Sequence, residues 1–372
     1  MPFFLLLLFV CFSASAYIAR RIVSPMQLPR AYAIVGWIAV MGGALLFPLY
    51  MSIAYSHSYP AWLATLCLLS AGFFSFMLTL TLLKDLVQLL FFRAKKTVRY
   101  ARCVGIIIPS LALILTLVGH YKALHPTVFK VEIPVSAAAK DFEDLRLVQL
   151  TDLHITNHTG EKWLKNIVSQ ANELEPDVLV LTGDVADMIL PDVEKALEPL
   201  ADLQAKYGKY FVLGNHEYLR GQANLWPKKM QELGFTVLNN EHAILSHKNK
   251  KLLLAGITDN AAKQYNELPP SPQQAIAHAP EDVSLKILLA HQPNNVYEAA
   301  NAGFDVQLSG HTHAGQFFPW IYLVDAVQEF YQGLYAYEGT QLYVNQGTGF
   351  WGPPIRLGTT SEISLINFSV AE

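Results

Sequence analysis

Four long apolar runs, at residues 3–18, 33–54, 61–83 and 104–118, crowd into the first third of this 372-residue chain. No other feature constrains the fold as much, because a water-soluble core rarely holds four such segments in succession. A helix crossing about 30 Å of hydrocarbon needs roughly 20 apolar residues. The middle two runs meet that length outright, and the outer two meet it once their flanks are included, with Tyr17 and Tyr121 as interfacial anchors. The first run also carries the small residues Ser13, Ala14, Ser15 and Ala16, as a secretory leader would. Its arginine pair follows the apolar stretch, however, and a leader has its basic segment first, so this run is expected to remain as a span.

Charge divides the chain at the same place. Residues 1–125 hold ten basic side chains against the single acid Asp85, a net +9, and residues 126–372 carry a net −12. An acidic domain argues against nucleic acid as its partner, since that affinity comes from neutralising phosphates. Arg20, Arg21 and Arg30 lie between the first two runs, and Arg93, Lys95, Lys96, Arg99 and Arg102 between the last two. Basic loops stay in the cytoplasm, so an inner-membrane chain of this pattern is expected to carry its larger domain on the periplasmic or extracellular side. The runs contain almost no ionisable residue to mark a transport path, which favours an anchor. All three cysteines, Cys11, Cys67 and Cys103, belong to this first third, so the remainder has neither disulfides nor thiolate chemistry.

The remainder alternates β-rich and helix-like segments, the pattern of an α/β fold. Apolar strands are expected at 145–150, 177–182, 209–213, 286–290 and 305–309, with two more at 341–344 and 362–367, and helices at 162–173 and 192–205. Each of the first five strands ends in residues capable of chemistry. These are Asp152 and His154, Asp184, Asn215 with His216 and Glu217, His291, and His311 with His313. Ligands of open α/β folds bind at the carboxyl ends of strands. One aspartate after a strand is commonly a turn residue, but five such coincidences in a row are not. Asp187 reads as a cap or turn residue, and Asn157 and His158 as loop or substrate contacts. His242, His247 and His278 are expected at the surface.

Carboxylate oxygen and imidazole nitrogen together suit Mn, Fe or Zn. Asp152 and His154, two residues apart in an extended segment, project to one face, as do His311 and His313. Eight such ligands crowd one ion but fit two, and a pair of ions polarises a phosphoryl group. The order DLH, GD, GNHE, an isolated His and GHTH closely resembles the calcineurin-like metallophosphoesterase superfamily over residues 145–369. The segment GHTHAGQ at 310–316 is similar to a membrane-associated bacterial branch of it.

The resemblance implies a metallophosphoesterase-type β-sandwich flanked by helices, in four αββα layers. Preceded by an all-α transmembrane domain, it gives a membrane domain at 1–125, a linker at 126–144 and a catalytic domain at 145–372. It also implies two divalent metals, with Asp152, His154, Asp184 and His313 around one and Asp184, Asn215, His291 and His311 around the other; ligand type alone admits Mn, Fe or Zn, and Mn is the one expected here. A hydroxide between the metals would attack phosphorus in line. His216 would act as general acid or else stabilise transition-state charge, and Glu217 would fix its imidazole. The substrate is expected to be an envelope or lipid-linked phosphoester, with a nucleotide-linked acylated sugar or a non-catalytic scaffold as the competing readings. Aromatic segments at 317–320, 330–337 and 350–351 could be core, or an apolar rim beside the site.

Overall fold

A computed structural model of the chain describes residues 2–53, 60–91, 97–156, 159–219 and 222–370. Asn157, His158, Arg93, Lys95 and Lys96 lie outside the described residues. The chain divides into two compact units, Met1–Lys122 with Phe317–Pro319 and Gly352–Leu357, and Ala123–Gln316 with Trp320–Trp351 and Gly358–Glu372.

The first unit is helical. It contains α1 (Pro2–Ile22), α2 (Arg30–Ala44), α3 (Leu46–Ile53), α4 (Ala61–Phe91) and α5 (Val98–Leu124). Four of its segments, Phe4–Met26, Arg30–Ser52, Ala61–Phe91 and Val98–Leu124, are long and apolar enough to cross a membrane. Many outward side chains there are apolar and exposed, among them Leu5, Phe9, Val35, Leu89, Ile106 and Leu117. A surface of that kind suits a lipid environment. The interior of the unit is a cluster of Ile18, Ile22, Phe76, Ile108, Phe317 and Ile355.

The second unit is built on two six-stranded sheets. One has the order β1 (Thr127–Val135), β12 (Glu362–Val370), β2 (Leu147–Leu150), β3 (Val178–Thr182), β4 (Lys209–Val212) and β5 (Phe235–Val237). The other runs β10 (Gly333–Tyr337), β11 (Thr340–Val344), β9 (Val306–Ser309), β8 (Val283–Leu289), β7 (Lys250–Gly256) and β6 (Glu241–His247). Residues from both sheets, including Val178, Val180, Val212, Leu254, Ile287 and Leu308, form one shared core. The helices are α6 (Glu161–Glu173), α7 (Leu190–Val193), α8 (Asn215–Tyr218), α9 (Trp226–Glu232), α10 (Pro272–Ala275), α11 (Val296–Asn301) and α12 (Trp320–Val327). A second core sets α6 and α9 against the first sheet through Leu164, Ile167, Leu181 and Met230, and a third sets α10 and α11 against the other through Leu253, Ala275, Leu288 and Ala299. The result is the expected sandwich of two sheets flanked by helices. It places the site simply: β2, β3 and β4 are parallel neighbours in one sheet, β8 and β9 in the other, so their carboxyl ends share an edge.

Three expectations are corrected. The linker expected at 126–144 contains β1, which pairs in parallel with β12 along its whole length, and a 3-10 turn over Ala137–Phe142. The alternation in TVFKVEIPV, with Ile133 and Val135 buried, is a strand signal that the neighbouring lysine and glutamate obscured. The helix expected at 192–205 is the short α7 followed by a 3-10 segment, Glu194–Asp202, which contains Pro199. Proline removes an amide donor and interrupts α-helical bonding. His247 is buried: its ring stacks on Phe142, with its nitrogens 3.1 Å from the Tyr207 hydroxyl and 3.0 Å from Asp144 Oδ1.

Candidate metal centre

The strand-end loops are held in conformations that side chains seldom adopt. Asp152, His154, Asp184, His311 and His313 all have φ between 47° and 74°. Such left-handed residues cost of order 1 kcal/mol each and concentrate at functional sites. Cross-loop hydrogen bonds enforce them: the Asp152 amide donates to the Gly183 carbonyl at 3.0 Å, and the His154 amide to that of Asp184 at 3.1 Å. Two glycines let the carboxylates in. A Cβ on Gly214 would lie 2.2 Å from Asp184 Oδ1, and one on Gly310 2.2 Å from Asp152 Oδ2.

Two donor sets result. In the first, Asp152 Oδ1 is 3.3 Å from His313 Nε2, and His154 Nε2 is 2.9 Å from His313 Nε2 and 3.8 Å from Asp184 Oδ2. In the second, His291 Nε2 is 3.2 Å from Asp184 Oδ2, 3.1 Å from Asn215 Oδ1 and 3.2 Å from His311 Nδ1. Asp152, His154 and His313 form one metal-competent group, and Asp184, His291 and His311 another. Asp184 reaches both sets, so all seven expected ligands converge.

The far nitrogens of two of these histidines are already engaged. His154 Nδ1 is 2.5 Å from Asp187 Oδ1, and His291 Nδ1 donates to the Thr182 carbonyl at 2.8 Å. This fixes each ring's orientation and turns its Nε2 toward the other ligands, as outer partners of metal-bound histidine do. Two imidazole nitrogens 2.9 Å apart beside buried carboxylates require a proton or a cation between them. Burial opposes protonation of His154, yet Asp187, Asp152 and Asp184 raise it to about 10 in the metal-free protein. A proton therefore stands where a divalent cation would, and the donor set fits such ions. His311 behaves oppositely: burial, and then the charge of His291, lower it to about 4, leaving a neutral ring.

The surroundings of His216 differ from expectation. Its Nε2 is 3.9 Å from Asp184 Oδ2, and its Nδ1 is 2.7 Å from Asp187 Oδ1 but off the line of a hydrogen bond. Burial opposes its protonation, and Asp184 and Asp187 raise it on balance. Glu217, expected to fix this imidazole, instead accepts from three backbone amides, Asp184 at 2.9 Å, Val185 at 2.8 Å and Gly214 at 2.6 Å. It ties the GD loop to the GNHE loop. Burial and the Asp184 charge push it up to about 7, against the pull of those amides.

The partner of His216 is Asp187, whose position in the sequence suggests only a cap or turn residue. Its one oxygen meets both His154 and His216. Its spacing, three residues after a strand-end aspartate, was the available signal. Asp259, a strand-end residue without an assigned role, caps Ala261 at 2.7 Å and accepts from Gln292, the neighbour of His291, at 2.9 and 3.0 Å.

Residues 145–315 match the family model of the calcineurin-like phosphoesterases. A transmembrane protein with a metallophosphoesterase domain from Danio rerio is 37% identical, over 65% of this chain and 57% of that protein. A Campylobacter jejuni metallophosphoesterase, described as uncharacterised, is 34% identical over 65% of this chain and 63% of its own. A Bos taurus transmembrane protein with a metallophosphoesterase domain is 35% identical over 71% and 63%. The match thus spans about three fifths of these relatives' length, and they are not confined to bacteria.

Proposed function

We propose that this chain, whose residues 145–315 match the calcineurin-like phosphoesterase family model, is a membrane-anchored, metal-dependent hydrolase of lipid-linked or other envelope phosphoesters. The observation that carries this reading is the pair of donor sets sharing Asp184, with the outer nitrogens of His154 and His291 already engaged. In this reading Asp152, His154, Asp184 and His313 would hold one divalent ion, and Asp184, Asn215, His291 and His311 the other. Manganese is our assignment among the metals such ligands suit. Ions so held polarise phosphoryl oxygens and make water a better nucleophile at neutral pH.

The side chains do the rest. His216, whose protonation burial opposes and the carboxylates of Asp184 and Asp187 favour on balance, is placed to give a proton to the departing ester oxygen. Asp187 orients that imidazole and His154 together. Glu217 keeps the two loops in register. The lipid-linked substrate rests on apolar surface within this unit. Trp351 is 59% exposed with its ring 6.3 Å from that of His216, and α12 exposes Trp320, Tyr322, Leu323 and Val327. Phe317 and Phe330, by contrast, are core. A phosphoester with an apolar tail would find a wall there.

The test uses the full chain purified in detergent. Two metals per chain are expected, with hydrolysis of p-nitrophenyl phosphate or its bis ester and then of phospholipid head-group esters. A preparation that binds no manganese and stays inert on all of these would sink the proposal. The outward orientation is checked by fusions after Glu372. Active alkaline phosphatase and a dark cytoplasm-only fluorescent protein are expected. The reverse would direct the search to nucleotide-linked acylated sugars.

A further inference from the structure

One end of the membrane unit holds a cleft unrelated to the metal ligands. The last turn of α1, the end of α4 and the start of α5 enclose about 200 Å³, lined by Arg21, Gln27, Lys84, Gln88, Thr97 and Tyr100 among others. Its described lining includes two cations and no acid. The only acid of this region, Asp85, stands behind that wall. It accepts from Arg21 Nε and from the Tyr17 hydroxyl, each at 2.5 Å, and lies 2.9 Å from Lys84 Nζ. One carboxylate therefore fixes two cations in place while cancelling only one of their charges, and a net positive charge remains at the cleft. Gln27, Gln88, Thr97 and Tyr100 add neutral hydrogen-bonding groups, the Gln88 amide donating to the Tyr100 hydroxyl at 2.5 Å, and Pro25, Val98, Ala101 and Val104 form the apolar remainder of the lining.

We propose that this cleft binds the phosphate group of an anionic ligand, supplied by a phospholipid headgroup or by a soluble phosphate. Two fixed cations beside neutral hydrogen-bonding groups suit an anion that has several acceptor oxygens. The place agrees: three helices end here, and Arg20, Arg99 and Arg102 lie at the same end. Basic pockets between helices at a membrane face are where anionic headgroups collect.

The experiment titrates the full chain in detergent with phosphatidylglycerol or phosphatidylcholine and counts retained lipid by native mass spectrometry. A parallel calorimetric arm uses glycerol 3-phosphate and inorganic phosphate. Selective retention of phosphatidylglycerol assigns the site to lipid, and calorimetric binding with no lipid preference assigns it to a soluble phosphate. In either arm Lys84→Gln should weaken binding about fivefold, the worth of one cation near an anionic surface. Lys84→Arg should restore it. Ala101→Leu, which fills the cleft without changing charge, should weaken it as well, and Lys122→Gln, at the far end of α5, should not. Binding in neither arm would overturn the proposal. So would equal losses from Lys84→Gln and Lys122→Gln, or binding indifferent to Ala101→Leu, since either would mean diffuse charge attraction.

Discussion

Two carboxylate clusters, one in each unit, solve the same electrostatic problem in opposite ways. Asp85 is surrounded by permanent cations, Arg21 and Lys84, so its charge is balanced by side chains that cannot give way to a metal. Asp152 and Asp184 are surrounded by histidines, whose charge is a removable proton. The first cluster needs no metal to balance its acid. The second is complete only with protons or metal ions in it. A buried acid thus becomes a candidate metal ligand through its partners rather than through its burial.

The largest test of that contrast is Asp184→Asn. Losing the shared carboxylate should lower turnover by about a thousandfold, several kcal/mol of metal chemistry. Metal content by mass spectrometry should fall from two ions per chain to one or none; full activity with two ions bound would overturn the site. Asp187→Asn comes next, since it frees His154 and His216 at once. An outer partner of a metal histidine is worth roughly 10- to 100-fold in affinity or activity. The pH profile of kcat should lose its acidic-group limb along with it, an effect that a merely structural role would not produce.

Acidity should separate the clusters more gently. With His154 raised to about 10 in the metal-free protein, its Nε2 proton competes with metal at neutral pH. Metal affinity should therefore rise with pH, by about tenfold per unit for each proton displaced, and level off above about 10. The stability of the metal-free protein runs the other way. A histidine raised above its unfolded value contributes fully below about 6.5, and that contribution is lost as pH climbs through about 10. Calorimetric melts with and without manganese across pH 6 to 10 check both signs; parallel curves would contradict the proton-for-metal exchange. The smallest effect is that of Asp85→Asn, for which we expect a loss of about 1 kcal/mol at a partly solvated pair. It should leave metal content untouched, and a loss of metal would break the comparison.

The sequence alone determined the four long apolar helices, the sheet-and-helix class and which Asp, His and Asn side chains meet at one edge. The reason is local: span length, strand apolarity and the residue after each strand are set by near neighbours in the chain. The short strand β5 and the hairpins carrying β6 and β10 were not legible, because short or mixed-polarity segments carry little periodicity. Nor was the burial of β1, which depends on β12 more than two hundred residues later. Only the tertiary structure decided which oxygen each imidazole faces. Asp187 and Glu217 are both acids just beyond strand-end ligands, and nothing in their spacing says which meets the ring of His216 and which the backbone. That choice is made where the loops after β3 and β4 pass each other, with Gly214 allowing Asp184 to close in and Glu217 bound to amides of both loops. Sequence names the donors that share an edge, and the approach of separately folded loops fixes the direction of each hydrogen bond between them.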